Sequence, residues 1–285
     1  MSLSPHDVAP PPPGAPWDLP LPEAPLAFVD LEMTGLDAAR DRIVEVCIER
    51  WVGTKKEAEL TTLVRPPSDR IGGAAHVHGL DEAALAGAPP FEAVADDVRR
   101  LLTGSVPVAH AAEWDVRFLE AEMERARSPL SIPHYIDTLV LARRSFAFQS
   151  YSLDSLTQKL GIDRGRAHRA ASDVAAMRAV FERCVAALAP VSVRDLWQVR
   201  IAMRQARESI VMACVAAVEH ALPVQVTYRA ARRPPEALQM VLTLVRSDLD
   251  PPRVMGYQLP GRGRRELRAD RILRVDPSPE DGTSR

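Results

Sequence analysis

The chain has 285 residues, 46% of them hydrophobic, enough to bury one large core or two modest ones. Its formal net charge of -2 excludes a global basic field for nucleic acid, and no apolar run approaches membrane-spanning length. Cys47, Cys184 and Cys214 lie far apart with no C-x-x-C pair, which argues against a zinc site or disulfide frame and for a reducing, cytoplasmic setting.

Residues 1–25 hold Pro10 to Pro13 in a row and little apolar surface, so they are expected to form an extended or disordered leader. Strand patterns follow at Ala27 to Leu31, Ile43 to Val52 and Ala58 to Val64, with connections short enough for an antiparallel meander. Phe91, Val94, Val98 and Leu101 fall at helical spacing, Val106 to Ala109 returns as a strand, and Trp114 to Arg127 reads as a helix. Asp137 is placed to cap a helix running through Leu141, and a helix over Ser152 to Leu160 stops at Gly161. A further helix starts near Ala171 with Val174, Met177, Phe181, Val185 and Leu188 on one face. Strands first and helices alternating afterwards predict an α/β fold, a mixed sheet with helices on both faces, over 26–189. A helical connector is expected over 190–221, then a small all-β unit over 222–277 and a disordered tail over 278–285. Between Leu222 and Val275 there are 11 arginines against 5 acids, a local excess of +6 by subtraction.

The stretch LAFVDLEMTGLD, Leu26 to Asp37, delivers Asp30 and Glu32 two positions apart, hence on one face of a strand. Paired carboxylates on a sheet are costly unless a cation sits between them. Asp115 in VAHAAEWDVRFL lies between a strand and a helix, and His168 and Asp173 in HRAASD lead into the next helix. Singly, each has an ordinary structural explanation as a cap, a surface imidazole or an acid at a helix start. Together, four carboxylates at strand ends and helix starts plus one histidine suit two Mg²⁺ or Mn²⁺ ions and a base that deprotonates water.

In this order, D-x-E, then V-A-H-x-A-x-aromatic-D, then H-x-x-x-x-D, the chain resembles the DEDDh (DnaQ-like) exonucleases, the group of the DNA polymerase III epsilon subunit. The segments HVHGL, IDTLVLAR and SLDSLTQKLGI, from His76, Ile136 and Ser152, are similar to that family's connecting segments. The resemblance covers about Leu26 to Leu188 and implies a ribonuclease H-like fold. It further implies that Asp30, Glu32, Asp115 and Asp173 hold two metal ions, with His168 as general base for 3′-to-5′ release of 5′-mononucleotides. Met33, Thr34, His78 and Trp114 would receive the terminal nucleotide of a single strand, and Trp114 has core packing as its equal alternative. The family commonly has Asn where this chain has Ala111, and His110 beside it reads as structural. DLEMTGLD is closer to oligoribonucleases, the other motifs to the polymerase-associated branch, so DNA is the favoured substrate and short RNA the second. A DNA polymerase or repair partner is implied by the family, although no clamp-binding peptide stands out. PVQVTYRA and GYQLPGRGRRELRADRILRV, from Pro223 and Gly256, resemble the WYL domain, which implies an SH3-like β-barrel. There Arg264, Arg265, Arg268 and Arg271 are candidates for binding phosphate, or form a solvated surface paired with its own acids.

Overall fold

The computed structural model describes residues 9–67, 79–163, 169–230, 235–249 and 251–278, with the backbone alone over 200–205. Two compact units result, Met1–Arg200 and Ile201–Arg285.

In the first unit, β1 (Pro25–Met33), β2 (Ile43–Val52) and β3 (Lys55–Leu63) form the expected antiparallel meander. β4 (Val106–Ala109) and β5 (Ile136–Asp137) continue it in parallel, giving a mixed sheet of order β3-β2-β1-β4-β5. Six consecutive residues of β2, from Ile43 to Ile48, are buried. Consecutive burial in a strand requires cover on both faces. The cover on β2 comes from α1 (Glu82–Leu85), α2 (Ala95–Leu102) and α6 (Ala170–Leu188), while α3 (Glu113–Arg125) lies against β1 and α4 (Thr138–Ser145) and α5 (Leu153–Leu160) pack on α6. Asp137 caps α4 by accepting from the Leu139 amide at 2.9 Å, and α5 stops where Gly161 turns left-handed at φ 64°. The helix expected from Phe91 is split into a 3₁₀ turn, Phe91–Ala93, and α2, and its apolar spacing still buries Phe91, Val98 and Leu101.

The leader departs from expectation. Residues 9–24 are packed against the first unit, with Trp17 only 5% exposed and its ring edge-on to His134. Prolines lack donors, but their carbonyls still accept: the Arg194 guanidinium donates to Pro11 O and Pro12 O at 2.8 and 2.7 Å and pairs with Asp18. One distant arginine therefore satisfies backbone that has no ladder of its own.

A helix also occupies the stretch where the helical connector was expected. α7 (Val193–His220) is one continuous helix, and the boundary between the units falls within it at Arg200. Val193, Leu196 and Trp197 are buried in the first unit, and Cys214 and Ala217 belong to the core of the second.

That second core contains Val226, Leu238, Met240, Leu242, Val254 and Leu267 from one face of an antiparallel sheet. Its strands β6 (Pro223–Tyr228), β7 (Glu236–Arg246), β8 (Arg253–Gln258), β9 (Gly263–Arg268) and β10 (Ile272–Pro277) have the order β10-β6-β7-β8-β9. The expected barrel does not close: among the described residues β9 and β10 are opposite edges of an open sheet. The helical residues Cys214 and Ala217 share the apolar face, so its burial does not require closure. At the β7 register slip, Gly256 lies so close that a Cβ would stand 2.4 Å from Val241 O, which only glycine permits.

Candidate metal centre

Phe28 shows which face of β1 looks toward α6, because its ring meets Phe181 edge-on with centroids 5.4 Å apart. Two-residue periodicity then aims Asp30 and Glu32 the same way, toward the first turn of α6, where Asp173 sits. One carboxylate oxygen from each of Asp30, Glu32 and Asp173 lies within 4.8 Å of the others. Asp115 joins from the first turn of α3, 7% exposed, with its carboxylate beside the backbone of Leu31. This is possible because β4 pairs with β1 only at Leu26 to Phe28, leaving the later backbone of β1 open to α3.

Burial, and then the charges of Asp115, Asp173, Glu32 and Glu45, hold the Asp30 carboxyl well above the usual carboxylate range. Asp115 is also pushed up, mainly by burial and further by Asp137 and Glu32, against the opposing effect of the backbone beside it. An all-oxygen donor set whose members repel one another fits a hard divalent cation such as Mg²⁺ or Mn²⁺. Three of the four acids named from the sequence therefore cluster, and Asp115 lies close enough for its charge to act on Asp30. His168 and His78, the remaining imidazoles of that reading, lie outside the described residues.

Two acids at the centre were not anticipated as part of it. Glu45 stands opposite Glu32 in the β1–β2 register, 2% exposed. Arg169 donates to it from Nε at 3.2 Å and Nη2 at 2.9 Å, and the Ala170 amide donates at 3.2 Å. Glu45 thus anchors the start of the helix that carries Asp173. Its signal was present in the sequence, as the one charge inside the apolar run IVEVCI. Asp137 accepts from the Ala111 amide at 3.0 Å while capping α4, and its charge adds to those around Asp115.

The neighbouring positions are more constrained than the sequence implied. Thr34 is 6% exposed, and Arg42 satisfies both its amide and its hydroxyl, so this residue closes the β1–β2 loop. In that loop a Cβ on Gly35 would stand 2.3 Å from the Asp41 carboxylate. Buried Glu122 braces it from α3, accepting from Arg42 Nη2 at 2.8 Å, while Arg125 donates to Ala38 O. Met33 ends β1 beside this loop, and Trp114 is 43% exposed next to Asp115. His110 bridges Thr138 Oγ1 and Tyr151 O, both at 2.9 Å. Ala111 sits at φ 59°, a left-handed backbone that Asn adopts more readily than Ala. The family's usual Asn has a backbone rationale here, independent of any amide interaction with substrate.

In the second unit, Arg268 is held by Asp270 at 2.8 Å and Arg265 donates to Gln258 at 2.8 Å. Arg264 is exposed on the edge strand and Arg271 is half-buried.

Fold and site together define an α/β protein of the ribonuclease H-like class, with acids gathered at the C-terminal end of β1. The family described as "Exonuclease" matches residues 27–181, more than half of the chain. This chain belongs to that family, among its DnaQ-like DEDDh members. A PolC-type DNA polymerase III of Thermotoga maritima is 32% identical over 174 residues, which are 61% of this chain but 13% of that polymerase. A DNA polymerase III epsilon subunit of Rickettsia felis is 30% identical over 162 residues, 54% of this chain and 71% of that protein. Among solved structures, E. coli exonuclease I in complex with a dA16 oligonucleotide has a TM-score of 0.54 at 16% identity, covering 83% of this chain and 55% of that one. That likeness shows the fold alone.

Proposed function

We propose that this protein is a 3′-to-5′ exonuclease that releases 5′-mononucleotides from single-stranded nucleic acid, with DNA favoured over short RNA. The observation that carries the reading is the convergence of Asp30, Glu32 and Asp173, with Asp115 electrostatically coupled to them. These four side chains would hold Mg²⁺ or Mn²⁺, two ions in the family's manner, which supply charge stabilisation to the attacking and leaving oxygens when bound. His168, five positions before Asp173, would take the proton of the attacking water on its imidazole nitrogen. Met33 and exposed Trp114 would bound the pocket for the terminal nucleotide, whose base an aromatic face accepts in any sequence. His78 joins this proposal on the family resemblance.

Epsilon-subunit relatives support a polymerase or repair partner, and the three buried, free cysteines suit a reducing cytoplasm. No helix among the described residues is long and apolar enough to cross a membrane. For the second unit, the WYL resemblance favours binding of nucleic acid through Arg264, Arg265, Arg268 and Arg271. Arg264 and Arg265 are exposed, and Arg268 and Arg271 are half-buried.

The test is release of mononucleotides from labelled DNA and RNA strands in Mg²⁺, Mn²⁺ or EDTA. Asp30→Ala and His168→Ala are each expected to lower the rate by about 10² to 10⁴-fold. Undiminished release by either variant, or equal release in EDTA, refutes the assigned roles. A folded protein that binds strands without shortening them would point instead to a regulatory binding protein.

A further inference from the structure

Between α4 and α5 the chain reads RRSFAFQSY, residues 143–151, a segment with no part in the metal centre. Phe146 and Phe148 stack at 5.2 Å with planes 15° apart, and Phe148 meets Tyr151 at 6.5 Å. All three rings are half-buried, so each keeps some surface in solvent. The platform is fixed in shape: Tyr151 Oη donates to Phe146 O at 2.8 Å and accepts from the Phe148 amide at 3.2 Å. It is also tied to the centre, because His110 Nε2 donates to Tyr151 O at 2.9 Å, and Ala111, the next residue, accepts from the Trp114 amide at 3.1 Å. The aromatic run therefore leads outward from Trp114 and Asp115 through Tyr151 to Phe148 and Phe146.

Its far end is located through Ser145, whose side chain lies beside Cys184 of α6. Cys184 stands eleven positions along the helix from Asp173, about 16 Å at 1.5 Å per residue. That distance is several times the ~3.4 Å step of a stacked strand. At this end stand Arg143 and Arg144, both exposed and, among the described residues, without an ion pair or hydrogen-bond partner on their guanidinium groups.

We infer that segment 143–151 is a track for the single strand on the 5′ side of the scissile bond, with Arg143 and Arg144 on its phosphates and Phe146 and Phe148 stacked under its bases. The inference rests on the exonuclease reading and extends it from the terminal nucleotide to the strand behind it. Stacking platforms flanked by free cations hold single strands without reading sequence, because every base has a π-face. An apolar peptide would leave the two cations unanswered, whereas a single strand offers phosphates for both cations and bases for the rings.

The test uses the full chain as Arg143→Ala/Arg144→Ala and as Phe148→Leu, which keeps apolar packing while removing the ring. Fluorescence anisotropy of a labelled dodecamer in EDTA reads binding alone, and KM for the dodecamer against a dinucleotide in Mn²⁺ reads the length dependence. The arginine variant is expected to bind the dodecamer roughly tenfold more weakly, with a log–log salt slope shallower by about 0.7 for each phosphate no longer neutralised. Loss of one stacked base in Phe148→Leu should weaken binding by about fivefold or more. KM for the dinucleotide should move by less than about twofold, since that ligand ends before the track. Equal changes for both lengths, or an unchanged slope and affinity, would overturn the inference. If wild-type protein cuts neither substrate, the exonuclease reading fails, and the anisotropy series in EDTA still decides the track.

Discussion

The two units handle charge in opposite ways. In the second, arginines are answered by acids two positions on: Arg246 by Asp248, Arg268 by Asp270, Arg274 by Asp276. These pairs are mostly solvent-exposed, and they neutralise part of a stretch in which arginines still outnumber acids. In the first unit, Asp30, Glu32, Asp115 and Asp173 are drawn together, and burial and mutual repulsion push Asp30 and Asp115 upward. The nearby cation, Arg169, is engaged by Glu45. A run of like charge in a sequence is thus weak evidence of a site where local partners exist, and strong evidence where folding concentrates the charges without relieving them.

Substitutions in either unit test this contrast. The largest effect on stability is expected at Glu45→Gln, which removes the anchor of α6. Loss of one partner of a buried pair costs about 3–5 kcal/mol, and the one-third exposure of Arg169 reduces this to about 2 kcal/mol. Displacement of Asp173 should also lower kcat by about tenfold or more with a smaller change in KM, read by denaturant titration and steady-state kinetics. An unchanged kcat would assign Glu45 to stability alone.

Asp30→Asn is expected to act in the other direction on stability, raising the metal-free protein by about 1 kcal/mol, or ~2–4 °C, while abolishing nuclease activity. The pH dependence follows from the same repulsion. Asp30 and Asp115 bind protons more tightly in the folded chain than in the unfolded one, where the value is about 3.9. Metal-free protein should therefore lose stability as pH rises from that value through the raised folded values, with the loss complete above them. Mn²⁺ should reverse the loss, and thermal midpoints that rise with pH in EDTA would contradict this account.

A smaller gain, about 0.5 kcal/mol, is expected for Ala111→Asn, which relieves part of the cost of the left-handed backbone at φ 59°. Differential calorimetry can detect it. The smallest effect belongs to the second unit: Arg274→Ala, on an exposed ion pair, should change stability by less than about 1 kcal/mol.

Much of the fold was legible because it is written in local periodicity. The strands of both sheets, the Asp137 cap and the Gly161 stop need only neighbours in sequence to be recognised. The four acids were legible through their order. The packed leader was not, since it depends on Arg194, which follows Pro11 and Pro12 by more than 180 residues. Glu45 as anchor was hidden for the same reason, its partner lying more than 120 positions away. The open edge of the second sheet turns on which strands end up adjacent and on the helix that shares its core, and neither leaves a local pattern.

Residue order alone was enough for the kinds of element, their succession and the identity of the acids, because alternation, capping and residue chemistry act over a few positions. Folding in three dimensions was needed to bring those acids close enough to repel one another, to set Glu45 and Arg169 as their anchor, and to match some of the basic-looking arginines with acids. Such outcomes depend on distances between residues remote in the chain, and Coulomb energy and hydrogen bonding respond to distance in space.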